Sequence, residues 1–177
     1  MLISFVVLVA FSATPVASQQ QLAALGCVGS EPTATAQWIY KNAPDFYVGR
    51  IGRKGRPAYL SPELYKLLER EWKCQEPGEL CAIETYPWTN AQDGDVLEPI
   101  AYKLKSQTSS LAIVEMTYLF GFPDELEKAV PKAIQLRLVR TSRKTCWLLD
   151  DITNGTLSFK RNMAEWPYYE AQRRRSP

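Results

Sequence analysis

Four cysteines, Cys27, Cys74, Cys81 and Cys146, restrict what this chain can fold into more than any other feature. They follow an apolar start of signal-peptide length. Residues 2–12 are almost wholly hydrophobic, Pro15 ends the run, and Val16-Ala17-Ser18 supplies the small residues of a cleavage site before Gln19. The run is too short to cross a bilayer, and no Lys or Arg precedes it, which departs from the usual leader. The opposing reading, a buried first strand or helix, sits badly with the Gln19-Gln20-Gln21 triplet that follows. The expectation is a chain exported to the periplasm or secreted after removal of residues 1–18, with no transmembrane segment in the mature form.

In that oxidising setting four cysteines pair as two disulfides, in one of three ways. Cys74 and Cys81 flank a short Pro-Gly loop that one bridge can close, which leaves Cys27 with Cys146. Each bridge is worth roughly 2–4 kcal/mol on the chain-entropy model. Two alternatives stand beside this. Ala24-Leu25-Gly26-Cys27 resembles a lipid-attachment signal, which would anchor the protein through Cys27 and leave Cys146 unpaired. A metal site of all four cysteines is disfavoured, because their separations of 47, 7 and 65 residues hold no closely spaced ligand pair. No metal and no cofactor is expected.

The chain has 177 residues, 46% of them hydrophobic and 23% charged, which is ordinary for one globular domain with a core of its own. It contains no histidine, so Ser-His-Asp and Cys-His nucleophile systems and His-ligated metals are excluded. A net charge of +2 argues against a general grip on nucleic acid. The basic clusters at 50–56 and 173–175 read first as solvated connector and tail.

The segment after the leader, residues 19–32, reads as an irregular lead-in. Thr33 or Thr35 caps a helix running to Phe46 or Tyr47, with Pro44 in conflict near its end. Ser61-Pro62-Glu63 is a helix start: an N-cap, a proline at the first position and an acid in the first turn. Leu64, Leu67, Leu68 and Trp72 mark that helix's apolar face. Ile100–Lys105 and Leu111–Phe120 alternate as strands, the second with Ala112, Val114, Met116 and Tyr118 on one face. Ile134–Thr141 and Thr145–Ile152 form a further hairpin around the Ser142-Arg143-Lys144 turn. A last helix lies within Leu157–Glu165, ahead of a basic tail at 167–177. The order predicts a single α+β domain over 33–166, with N-terminal helices packed on a curved antiparallel sheet.

Four pieces of the chain, in this order, resemble one family. They are Leu60-Ser61-Pro62-Glu63-Leu64-Tyr65-Lys66-Leu67-Leu68, Tyr86-Pro87-Trp88-Thr89-Asn90-Ala91-Gln92-Asp93, Cys146-Trp147-Leu148-Leu149-Asp150-Asp151-Ile152, and Gly155-Thr156-Leu157 leading into Lys160-Arg161-Asn162-Met163. Together they are similar to the bacterial exported domain of unknown function 3828, over about residues 30–166. Their order and spacing carry the likeness. It implies a nuclear-transport-factor-2-like, cystatin-like cone fold in a periplasmic or lipoprotein setting, with no assigned reaction and no assigned catalytic residues.

No catalytic residue is assigned. The candidate contact residues are Trp88, Gln92, Asp93, Asp151 and Arg161. Trp88, Gln92 and Asp93 put an indole, an amide and a carboxylate in one polar loop, although Asn90 and Asp93 serve equally as turn residues bonded to backbone. Asp151 is a carboxylate at a strand end, with an ion pair to Arg137, Lys160 or Arg161, or a cap on the next turn, as its structural reading. Adjacent strand residues face opposite ways, so only one of Asp150 and Asp151 is expected to point inward. Tyr40, Tyr86, Tyr102 and Tyr118 supply phenols for a core or a pocket rim. Asn154-Gly155-Thr156 matches a glycosylation acceptor, and a turn explains it as well. The expected role is a non-enzymatic domain that binds a protein or envelope partner, an immunity protein being one concrete form. The alternative is a small-ligand or enzyme domain with an internal pocket.

Overall fold

Proline and serine set the helices. In the computed structural model, which describes residues 26–49, 55–76, 78, 80–142 and 145–167, α1 spans Pro32–Asn42 and α2 spans Pro62–Gln75. Pro32 occupies the first turn of α1, where its missing N–H costs nothing. The helix therefore begins ahead of Thr33, and no side chain caps it. Thr35 is buried inside it. The helix stops before the Phe46 expected from sequence because Pro44 bars the helical conformation at Ala43, which sits at φ −144° and ψ 47°. In α2 the Ser61 hydroxyl accepts the Leu64 N–H at 3.0 Å, and Leu64, Tyr65, Leu68 and Trp72 face inward.

Five strands pair as an antiparallel meander in the order β1-β2-β3-β4-β5. They are β1 (Asp95–Gln107), β2 (Leu111–Gly121), β3 (Val130–Val139), β4 (Leu148–Asn154) and β5 (Leu157–Ser158). Ala112, Val114, Met116 and Tyr118 of β2 and Ile134, Leu136 and Leu138 of β3 are buried on one face, as their alternation requires. The α1 helix packs against β1, β2 and β3 on that face, while α2 and the short α3 (Phe159–Glu165) pack against β4 and each other. Trp88, Trp147, Phe46 and Met163 fill the space between.

Three strands also differ from expectation, and the first is β3, which spans Val130–Val139 and so begins four residues before Ile134 and ends two before Thr141. The β1 strand begins five residues before Ile100, and its register with β2 breaks between Leu97 and Ala101, where the Glu98–Pro99 peptide is cis. It is an exposed edge strand, so its pairing leaves no apolar alternation to read. The β4 strand begins at Leu148 rather than Thr145. Thr145 closes the preceding turn, its hydroxyl donating to the Ser142 carbonyl and accepting the Ser142 N–H. The β4–β5 hairpin turns on Gly155 at φ 59°, a left-handed position suited to glycine.

Disulfides join Cys27 to Cys146 and Cys74 to Cys81. The first ties the start of the described chain to the approach of β4. Beside it the Leu149 N–H donates to the Tyr59 carbonyl and the Ser61 N–H to the Leu149 carbonyl, a parallel bridge that docks the α2 entry on β4. Among the described residues no helix is long and apolar enough to cross a membrane. The expected leader and cleavage site and the Gln19–Gln21 triplet lie outside the described residues, as do 50–54 of the basic connector, Arg143-Lys144 and the tail from 168.

Candidate functional site

Asp150 and Asp151 are both buried, at 5% and 7% exposure, although neighbours on a strand should face opposite ways. The register explains it. Arg137 of β3 pairs with Asp151 while Leu138 pairs with Leu149, so Asp150 is the extra residue of a bulge. Its carboxylate accepts the Ser61 hydroxyl and the Lys160 ammonium at 2.7 Å each, and the Arg137 guanidinium at 3.3 Å. Burial alone would push the Asp150 carboxyl up; the hydrogen bonds from Lys160 and Ser61, with the charges of Lys160 and Arg137, hold it below the usual aspartate value. Asp151 accepts the Ser158 hydroxyl at 2.7 Å and the Lys160 backbone N–H at 2.8 Å, and Ser158 in turn caps α3 by accepting the Arg161 N–H. These two carboxylates organise the start of α3.

That start forms one wall of a cleft of about 220 Å³. The opposite wall is the chain from Ala82 to Asn90. Glu71, fully buried on α2, fixes its base by accepting the N–H groups of Ala82 and Ile83 at 3.1 and 2.8 Å. Asn162 of α3 closes the same corner, donating its amide to the Ala82 carbonyl at 2.7 Å. Asn154, at the end of β4, donates to the Thr89 carbonyl at 3.2 Å. Asn90 stands at φ 52° with its side-chain oxygen accepting the Thr85 hydroxyl. Among the described residues, the side-chain oxygens of Asn154 and Asn162 and the Asn90 amide nitrogen have no further hydrogen-bond partner. Arg161 lines the cleft, exposed, with one contact to the Thr156 carbonyl at 2.8 Å and no carboxylate paired to it among the described residues.

The structure brings Arg161 and the loop after Tyr86 to this one place, with Asp151 beneath. Trp88 lies elsewhere: it is fully buried, its indole N–H donates to the Pro44 carbonyl, and its own carbonyl accepts the Tyr118 hydroxyl. It anchors the loop from inside. Gln92 and Asp93 are exposed further along that loop and do not line the cleft. Glu71, Asn90, Asn154 and Asn162 were not singled out as contact residues. Glu71 was legible, since it falls between Leu68 and Trp72 on the buried face of α2.

Five tyrosines, Tyr40, Tyr47, Tyr86, Tyr102 and Tyr118, belong to the core or pack against it. Tyr40 meets Trp88 edge-on at 5.0 Å between ring centres, and Tyr47 meets Tyr86 at 5.9 Å. Tyr102 pairs across the sheet with Met116, which places it on the inner face. Burial, followed by the charges of Glu98 and Asp95, raises the Tyr40 phenol. Burial and then Tyr40 raise Tyr86, Tyr102 and Tyr118, the last to about 12.

Among the described residues no group of three or more acids and cysteines is placed to hold a metal ion. Comparison with known proteins finds no matching family model, no similar curated protein and no similar solved structure.

Proposed function

We propose that this chain is an exported, disulfide-braced binding domain that takes a segment of a partner protein or envelope component into the cleft between the Ala82–Asn90 wall and α3. The observation that carries the reading is the set of amide groups and one guanidinium that line the cleft with hydrogen-bonding capacity to spare, on walls fixed by Glu71, Asp151 and a disulfide. Carboxamides present a donor and an acceptor side by side and match a peptide backbone; Arg161 matches a carboxylate. A volume near 220 Å³ suits one or two residues of a partner rather than a drug-sized ligand. Export to the periplasm fits the leader and the two disulfides. The order of two helices followed by an antiparallel sheet is of the same α+β class as the cystatin-like cone that the resemblance to the exported domain of unknown function 3828 implies.

The test compares the unaltered protein with an Asn90→Ala/Arg161→Glu variant, each recovered from the envelope fraction under gentle conditions. The expected result is a stoichiometric partner with the unaltered chain and its loss with the cleft variant, while Asp124→Ala on the β2–β3 loop retains it. A partner held equally by both cleft forms, or recovery of the unaltered chain alone, would overturn the proposal.

A further inference from the structure

Among the described residues that line the cleft, two are charged, Arg161 and Glu165. Both are exposed and both stand on α3, four positions apart, so they share one face of that helix. Helix stability does not explain them. A cation at the start of a helix and an anion at its end both oppose the helix dipole, and a cation four residues ahead of an anion is the weaker order for a pair on one helix face. Among the described residues neither side chain enters an ion pair, with the other or with any third group. Arg161 donates to the Thr156 carbonyl, and the Glu165 carboxylate accepts no hydrogen bond. Their neighbour Lys160 is instead bound to Asp150.

The separation of the two charges sets the length of what they can hold. Four helical residues rise about 6 Å. Two residues of extended chain cover about 6.5 Å and return the side chain to the same face. The rest of the lining suits such a segment: Ile152 and Phe159 supply apolar surface, and Asn90, Asn154 and Asn162 keep the amide functions described above. Resting on the reading that the cleft takes a segment of a partner, we infer that this segment is an extended strand with an acidic and a basic side chain two positions apart, the acid on Arg161 and the base on Glu165.

The experiment titrates the disulfide-intact protein with capped pentapeptides and reads the side-chain amide signals of Asn90, Asn154 and Asn162 by NMR. The probes are Ser-Glu-Ser-Lys-Ser, its reverse Ser-Lys-Ser-Glu-Ser, the neutral Ser-Gln-Ser-Gln-Ser, and a peptide with the two charges adjacent. The tighter of the first two fixes the direction of the bound chain. It should shift the signals saturably and bind about fivefold more tightly than the neutral peptide or the one with adjacent charges. Glu165→Lys puts a cation at the helix end, which the dipole favours, and should leave the melting temperature in place. It should also reverse the preference, making Ser-Glu-Ser-Glu-Ser the tightest peptide. A neutral peptide that shifts the same signals with equal affinity would overturn the inference and leave the cleft reading standing. Equal affinity for adjacent charges, or an unchanged order of peptides in Glu165→Lys, would do the same. No shift with any peptide would also overturn it, while partner recovery with the Asn90→Ala/Arg161→Glu variant decides the cleft reading separately.

Discussion

Asp150 and Asp151 share one short stretch of chain with Asn154, Arg161 and Asn162, and the two groups treat their polar atoms differently. At the buried pair every carboxylate oxygen has a protein partner, drawn from α2, β3, β5 and α3. In the cleft each amide makes one bond to hold a wall and, among the described residues, keeps a second function without a partner. The contrast separates groups that define the fold from groups with capacity left for something else. A buried polar atom is costly without a partner, so saturation is what structure demands. Unused capacity on a rigid wall is what recognition requires.

Mutation can break this contrast or sharpen it. Glu71→Ala should show the largest effect, since it strips the Ala82 and Ile83 N–H groups of their acceptor; we expect a loss of about 3 kcal/mol in denaturant unfolding, with the cleft wall loosened at the same time. Asp150→Asn comes next, at about 2 kcal/mol, because the partly exposed Arg137 and Lys160 recover water when released. Asp150 also sets a pH dependence. Its folded value lies below the ordinary 3.8, so its stabilising contribution is complete above that value and disappears as pH falls through the lower, folded one. Acid unfolding followed by circular dichroism should therefore show a shallower loss in Asp150→Asn than in the unaltered chain. Ser61→Ala removes the α2 cap and one Asp150 bond and should cost about 1 kcal/mol. Asn90→Ala/Arg161→Ala should change stability by less than about 0.5 kcal/mol while removing partner binding. A large stability loss in that last variant would erase the distinction between the two groups.

How much of this was readable follows from which physics each element obeys. The α2 start, the inward faces of β2 and β3, and a short bridge between Cys74 and Cys81 are local in sequence and were legible there. The first half of β1 was hidden because an exposed edge strand needs no apolar alternation. Asp150 escaped because a bulge is a matter of register with β3, and register is not written in β4 alone. The cleft escaped because its amides come from three places in the chain, and asparagine in a loop reads first as a turn residue. Trp88 was conspicuous in sequence for its polar neighbours, yet the structure uses it to pin the loop rather than to face solvent.

The docking of α2 on β4 has a consequence for the order in which the molecule becomes whole. Ser61 meets its carboxylate 89 residues downstream, and Cys27 meets its partner after 119. During synthesis the two N-terminal helices therefore emerge long before the surface that seats them. Loop closure over such spans comes late in assembly. The last sixth or so of the sequence acts as a latch, and a chain truncated before Trp147 keeps most of its apolar residues yet lacks the strand against which its first half closes.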